Sequence, residues 1–205
     1  MHFLITAGPT REYLDPVRFI SNASTGKMGY ALAGAAIKAG HKVTLITGIT
    51  SLKPPTGAKT VNVETSSEMF EAVKKHFAKC DCLIMTAAVA DYKPFGKSKT
   101  KIKKGSGPLI LKLKPTPDIL KWASRNKKNQ IVVGFALEDK AIRKNAERKL
   151  KEKNLDMIIA NTPAAIGTDK TSFEIKTRRG QWIRFSKAAK ITVARKIIQM
   201  TGNLS

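Results

Sequence analysis

The sequence predicts an α/β fold: a doubly wound, mostly parallel Rossmann-like sheet with an extended arm and a C-terminal hairpin. Two observations carry this prediction. Short apolar runs alternate along the chain with segments of helical periodicity, the pattern that parallel strands joined by right-handed helical crossovers produce. In addition, residues 82–87 and 131–137 are unbroken apolar runs, as expected of strands covered by helices on both faces.

The elements follow in order. Residues 3–7 form a short apolar run that stops at Gly8-Pro9-Thr10, a buried strand ending in a loop. Over 26–39 the positions Met28, Ala31, Leu32, Ala35 and Ala36 follow helical spacing, and Gly40 stands where a C-terminal cap belongs. Strands are predicted over 42–47 and 60–63, and Met69, Phe70, Val73 and Phe77 mark a helix over 66–78. Between the runs 82–87 and 131–137 lies a helix over 117–124, and a charged helix over 139–153 leads to a strand at 157–160. Residues 91–108 are rich in Lys, Gly and Ser without helical period, which marks a functional or mobile loop. Apolar alternation over 108–114 makes this excursion, 91–114, return as an extended arm. Segments 173–175 and 181–185 around Arg179-Gly180 predict a hairpin before a last helix over 187–200.

With 205 residues and 42% hydrophobic composition, one sizeable core and one domain, 1–205, are expected. No apolar stretch approaches the ~20 residues of a membrane-spanning helix. The N-terminus runs into a core strand with no basic segment before it, so a soluble, cytoplasmic protein is expected. Cys80 and Cys82 read as two small buried thiols on opposite faces of the sheet. Lys and Arg number 38 against 15 Asp and Glu, and the resulting net charge of +23 draws in phosphates of any kind. The basic residues are spread along the chain with few aromatics between them, which argues against a nucleic-acid groove. A solvated, lysine-rich surface accounts for the charge as well.

In an open α/β sheet, ligands bind beyond the carboxyl ends of the strands, where the strand order reverses. That rule nominates the loops 8–26, 47–55 and 87–107, the residues after Gly134, and those from Asn161 onward. The first loop sets Gly8, Thr10, Ser24 and Gly26 ahead of a helix whose free N–H groups suit an anion. The same small residues are also ordinary turn chemistry. Familiar nucleotide signatures fail: Gly26-Lys27 is followed by Met28, Gly96-Lys97-Ser98 has Asp91 where the first P-loop glycine belongs, and no G-x-G-x-x-G occurs.

More specific is the set Ile5-Thr6-Ala7-Gly8-Pro9-Thr10-Arg11-Glu12, Asp15-Pro16-Val17-Arg18-Phe19-Ile20-Ser21-Asn22, Ser24-Thr25-Gly26-Lys27-Met28-Gly29, Ala87-Ala88-Val89-Ala90-Asp91-Tyr92, Lys101-Ile102-Lys103-Lys104 and Gly134-Phe135-Ala136. In this order and spacing the set resembles the phosphopantothenoylcysteine synthetase family of coenzyme A biosynthesis, over nearly the full chain. In bacteria this activity is often the carboxyl-terminal half of a bifunctional flavoprotein. The decarboxylase half is not in this sequence, so the resemblance implies no flavin.

The resemblance implies a phosphopantothenate–cysteine ligase. A nucleoside triphosphate activates the phosphopantothenate carboxylate with release of pyrophosphate, and the cysteine amine then displaces the nucleoside monophosphate. Two anions meet in the first step, so cationic groups and Mg²⁺ are expected. Asn22 resembles the asparagine that holds the acyl-nucleotide, and Arg18 the nearby arginine whose planar fork suits a carboxylate or phosphate. Lys101 resembles the lysine that closes over the intermediate on a loop, with Lys103 and Lys104 behind it. Asp91 is expected to hold Mg²⁺ or a substrate donor, the small Ala87 to let the nucleotide approach, and Gly134, Phe135 and Ala136 to cradle the base. The sequence departs from the family pattern at Asp139, where Thr more often follows Glu. The Ser-Asn-x-Ser-x-Gly-Lys-Met-Gly element looks bacterial, which favours CTP over ATP. A homodimer with the 101–114 arm near the partner's site, and a separate decarboxylase partner, are also implied.

Two other readings compete. An NAD(P)-dependent short-chain-type oxidoreductase is vaguely echoed by Thr6-Ala7-Gly8 and Thr86-Ala87-Ala88, but Tyr13, Tyr30 and Tyr92 supply no Tyr-x-x-x-Lys pair. A basic nucleic-acid-binding protein rests on charge alone. His2, His41 and His76 suggest neither a metal cluster nor a Ser-His-Asp set.

Overall fold

The structure, a computed structural model, describes residues 1–204. In chain order it consists of β1 (His2–Ala7), β2 (Arg11–Tyr13), β3 (Phe19–Ser21), α1 (Lys27–Lys38), β4 (Lys42–Thr47), β5 (Lys59–Asn62), α2 (Ser66–Phe77) and β6 (Cys82–Met85). There follow β7 (Tyr92–Pro94), β8 (Leu113–Pro115), α3 (Ile119–Asn126), β9 (Ile131–Leu137), α4 (Ile142–Glu152) and β10 (Met157–Asn161). A 3₁₀ turn (Pro163–Ala165), β11 (Lys170–Thr177), β12 (Ile183–Ala189) and α5 (Lys190–Gly202) complete it.

Eight strands form the main sheet in the order β12-β11-β10-β9-β6-β1-β4-β5. The six from β10 to β5 run parallel, while β11 and β12 join antiparallel at the β10 edge. From β1 the chain winds outward to β4 and β5, then returns past β1 to β6, β9 and β10. Strand order therefore reverses between β1 and β6. Alternate residues of the central strands feed two apolar layers. Phe3 and Ile5 pack with Leu32 of α1 and with Val193 and Ile197 of α5. Leu4, Leu83, Val132 and Ile158 pack with Met69, Leu120 and Leu150 of α2, α3 and α4. Covering both faces is what makes these strands unbroken apolar runs.

Helix ends follow local chemistry. α1 closes as the Gly40 position predicts: Gly40 takes φ +80°, its N–H reaches Ile37 O, and His41 N–H reaches Ala36 O, the paired bonds of a Schellman motif. α2 opens with a capping box between Thr65 and Glu68. α3 starts two residues later than the periodicity predicts because Asp118 caps it, accepting from Lys121 N–H at 2.9 Å. α4 starts at Ile142 rather than 139, after Ala141 takes a positive φ of 48°.

Other departures are equally local. β6 ends at Met85 instead of 87, because Thr86 donates to Thr6 O and Ala87 N–H turns to the Thr6 hydroxyl rather than to the ladder. The 91–114 excursion is an arm whose base is zipped by antiparallel pairing of β7 with β8; only Leu113–Pro115 of its returning limb is strand. The C-terminal hairpin is longer than expected because it extends the main sheet, and α5 begins at Lys190 after Lys187 adopts φ 47°. Cys82 lies in one apolar layer and Cys80 in the other. They separate because Cys80 sits in the turn before β6; residues i and i+2 of one strand would share a face. No helix among the described residues is long and apolar enough to cross a membrane.

Candidate active site

A cleft of about 690 Å³ opens at the reversal point, over the carboxyl ends of β6, β9 and β10 and beside the N-terminus of α1. The α1 N-terminus is pressed onto the strand ends. A Cβ on Gly29 would stand 2.5 Å from Ala7 Cβ and 2.7 Å from Thr86 Oγ1. Gly26 precedes the helix in the left-handed region, no side chain caps it, and no acid occupies its first turn. Its first N–H groups therefore face the cleft as anion donors.

Asn22, Ser24, Gly26, Ala87, Asp91 and Phe135 line this cleft. Asn22 Nδ2 donates to Ala88 O at 3.2 Å and Val89 O at 3.1 Å, which fixes the amide orientation and leaves Oδ1 as an outward acceptor. Ser24 Oγ is spent on Gly26 N–H at 3.3 Å. Asp91 is exposed at the cleft, its backbone carbonyl held by Thr116 N–H at 2.9 Å.

The other expected residues lie elsewhere. Gly8 packs against the Gly26 turn and the Thr50 methyl, so it shapes the rim from behind. Thr10 is fully buried and accepts from Ala90 N–H at 3.0 Å, a brace between the loops after β1 and β6. Gly134 makes room for Leu120 and Leu155, and Ala136 belongs to the core layer beneath, because only alternate residues of β9 reach the cleft side. Arg18 turns away from the cleft, donating to Ile102 O and standing 3.7 Å from Asp15. Lys101, Lys103 and Lys104 are exposed on the arm, outside the cleft lining.

Four lysines in the cleft went unassigned from sequence: Lys27, Lys149, Lys153 and Lys190. Lys149 Nζ donates to Phe135 O at 2.6 Å. Burial, reinforced by Lys153, pushes its ammonium below the usual lysine range. Lys153 pairs with Asp118 at 2.8 Å. Burial pulls the Asp118 carboxyl up, but Lys153 and the Lys121 N–H outweigh it and hold it low. Lys27 and Lys190 grip the loop after β10, Lys27 through Asp169 at 2.7 Å and Lys190 through Ala165 O at 3.1 Å. The legible signal was the i, i+4 spacing of Lys149 and Lys153, which sets Lys149, in the last turn of α4, and Lys153, the residue capping it, on one side; the abundance of lysine in the chain masked it.

The loop after β4 packs against the first loop, where a Rossmann sheet would bring that loop to a dinucleotide's pyrophosphate. Thr50 Cγ2 would be 2.8 Å from a Cβ on Gly8, and a Cβ on Gly48 would lie 1.9 Å from Pro9 O. The loops after β1 and β4 thus close on each other, against the NAD(P) reading. Among the described residues no three His, Cys, Asp or Glu side chains group to hold a metal.

Comparison with known proteins agrees with this architecture. The chain is 45% identical over 209 residues to the coenzyme A biosynthesis bifunctional protein CoaBC of Bacillus subtilis (strain 168), covering 100% of this chain and 52% of that one. The protein of the same name from Borreliella burgdorferi is 47% identical over 161 residues, 77% of this chain and 41% of its own. The chain thus spans about half the length of the curated relatives it matches. The crystal structure of the C-terminal domain of CoaBC superposes with a TM-score of 0.86 at 38% identity, covering 99% of this chain and 94% of that one. A Cab2 mutant in complex with phosphopantothenate-cysteine shares the fold at TM-score 0.83 and 18% identity, covering 98% and 86%. Residues 1–204 match the family described as the DNA/pantothenate metabolism flavoprotein C-terminal domain. With that match spanning the whole described sheet and cleft, the chain belongs to this family.

Proposed function

We propose that the protein is a phosphopantothenate–cysteine ligase of coenzyme A biosynthesis. The observation that carries this reading is Asn22, fixed at the cleft by Ala88 O and Val89 O with its carbonyl turned outward. It shares the cleft with an uncapped helix N-terminus and with the half-buried ammonium of Lys149. The naming of the relatives as coenzyme A biosynthesis proteins supports the same reading.

In the activation step a carboxylate must approach a polyphosphate. The α1 N–H groups and Lys27, Lys149, Lys153 and Lys190 offset the repulsion. Phe135 and Ala87 offer apolar surface to the base, with Gly134 and Ala136 supporting that strand from the other side. Mg²⁺ fits as an ion held mainly by the substrate's phosphate oxygens, with Asp91, among the described residues, as the cleft carboxylate not engaged by a neighbour in hydrogen bond or ion pair. When bound it would supply charge neutralisation to the leaving pyrophosphate. In the second step Asn22 Oδ1 accepts from the cysteine amine and steers it onto the activated carbonyl. Neither step transfers electrons, so no flavin takes part. Lys101 reaches in by its side chain from the backbone held at Ile102, and Lys103 and Lys104 act by inward movement of the arm beyond it. CTP is the favoured nucleotide, the protein is cytoplasmic, and a decarboxylase, fused or separate, consumes the product. The exposed arm residues Leu109, Ile110, Leu111 and Leu113 form the contact of a homodimer.

Pyrophosphate release tests the reading: phosphopantothenate and Mg²⁺ are supplied with CTP or ATP in parallel, with and without cysteine. Cysteine-dependent turnover, faster with CTP, is expected. No release with either nucleotide rejects the ligase and returns the net charge to the nucleic-acid reading.

A further inference from the structure

We infer that Asp15 is a positioning residue for Lys101, acting by clasping the backbone of Ile102 to the β2–β3 turn; this rests on the ligase reading above. Asp15 is fully buried, and its two oxygens have separate duties. Oδ1 accepts from Val17 N–H and Arg18 N–H, both at 2.8 Å, and so fixes its own turn. Oδ2 accepts from Ile102 N–H at 3.1 Å, 87 residues along the chain. Arg18 completes the grip by donating to Ile102 O. Ile102, the residue following Lys101, is therefore held through both its N–H and its C=O.

The rest of the contact is consistent with a built dock. Ser98 N–H donates to Leu14 O at 2.8 Å, and Lys97 Nζ stands 4.9 Å over the Tyr13 ring. Within residues 99–113 Ile102 alone is not exposed, so the arm is fastened at this point and free beyond it. Burial by itself raises the Asp15 carboxyl, but the three backbone donors and Arg18 outweigh it and hold the group ionised, as the clasp requires. The same turn leads through β3 into Asn22. A single short segment thus fixes Asn22 on one side and the peptide of Lys101 on the other, and the two steps of the reaction share one frame.

Asp15→Asn isolates the clasp. An amide can still accept through one oxygen and keep the turn, but it presents NH₂ instead of Oδ2 to Ile102 N–H and Arg18. Trypsin, which cuts after lysine, reads the arm independently of activity. In Asp15→Asn, nicking at Lys101 and Lys103 is expected to accelerate with the unfolding midpoint little changed, and pyrophosphate release to fall ~10- to 100-fold, the scale of a misplacement of about 1 Å. Combined with Lys101→Gln, Asp15→Asn should add no further loss, because it acts through Lys101. Unchanged nicking, or an equal fold-loss in both backgrounds, overturns the inference. A full rate of pyrophosphate release by Lys101→Gln alone instead rejects the role of Lys101 on which it rests. Should Asp15→Asn fail to fold, Ile102→Pro removes the donated N–H from the arm side; nicking is then read at Lys103 and Lys104, because trypsin does not cut before proline.

Discussion

Asn22 owes its place to two carbonyl partners, and this makes its substitution informative in a way that sequence could not show. Asn22→Asp sets a carboxylate against Ala88 O and Val89 O where an NH₂ had donated to both. Losing these bonds and repelling both carbonyls costs about 1–3 kcal/mol, enough to slow the amine step ~10- to 100-fold while activation continues. Trapping of acyl-nucleotide on the variant by rapid quench is the measurement, and overall ligation at the wild-type rate removes Asn22 from the site. Lys149 gives a second case. Its ammonium is lowered by burial, so the folded state binds fewer protons than the unfolded chain between the lowered value and the usual lysine range. Stability therefore rises with pH through that window, as the cost of burying the charge is relieved. Lys149→Met should flatten this rise without lowering the unfolding temperature, yet weaken nucleotide binding about tenfold or more. Melting curves across alkaline pH together with a nucleotide titration read both effects; a variant that melts lower and binds as well makes Lys149 a structural residue. The motif-borne residues were partly legible. Six of the expected residues line the cleft, whereas Gly8, Thr10, Gly134 and Ala136 lie behind it, because a motif records spacing and not which side of a strand faces the ligand.

At the scale of elements, the site depends on how closely the loops after β1 and β4 approach. The Cβ of Gly48→Ala would fall 1.9 Å from Pro9 O and 2.9 Å from Pro9 C, both backbone. Such a clash is relieved only by moving a strand end, for at least ~1–3 kcal/mol, the usual cost of overpacking. Gly134→Ala meets the movable ends of Leu155 and Leu120 at 2.8 and 3.0 Å and should cost less. Urea midpoints at constant slope give the ranking, and equal losses in the two variants would show that the β1–β4 loop contact is not rigid. The large elements were readable because their periodicity and caps are local: 42–47 and 131–137 fall on β4 and β9, and Gly40 on the end of α1. The three-residue strands β2, β3, β7 and β8 were not. They carry too few residues for a period and exist only through their partners, Arg11 opposite Ser21 and Tyr92 opposite Pro115. The same limitation hid the clasp on Ile102, since nothing in spacing joins residues 15 and 102.

For the whole molecule, the net charge of +23 and the exposed arm pull in opposite directions. Ile110 is 85% exposed and Leu109 59% exposed, on the limb of the arm beyond its fastening at Ile102. Two such chains pairing through their arms would cover this apolar surface, while their charges repel at any distance that salt leaves unscreened. The screening length falls from about 10 Å at 0.1 M salt to about 3 Å at 1 M. Pairing driven by apolar contact between like-charged chains must therefore tighten as salt is added, the reverse of binding to a polyanion, which releases counterions and weakens. Sedimentation at low and high salt separates the two. A dimer that strengthens in salt and is abolished at both concentrations by Ile110→Lys is expected. An assembly indifferent to Ile110→Lys places the interface elsewhere, and association that dissolves in salt means the charge has recruited an anionic partner instead of a second copy of the chain.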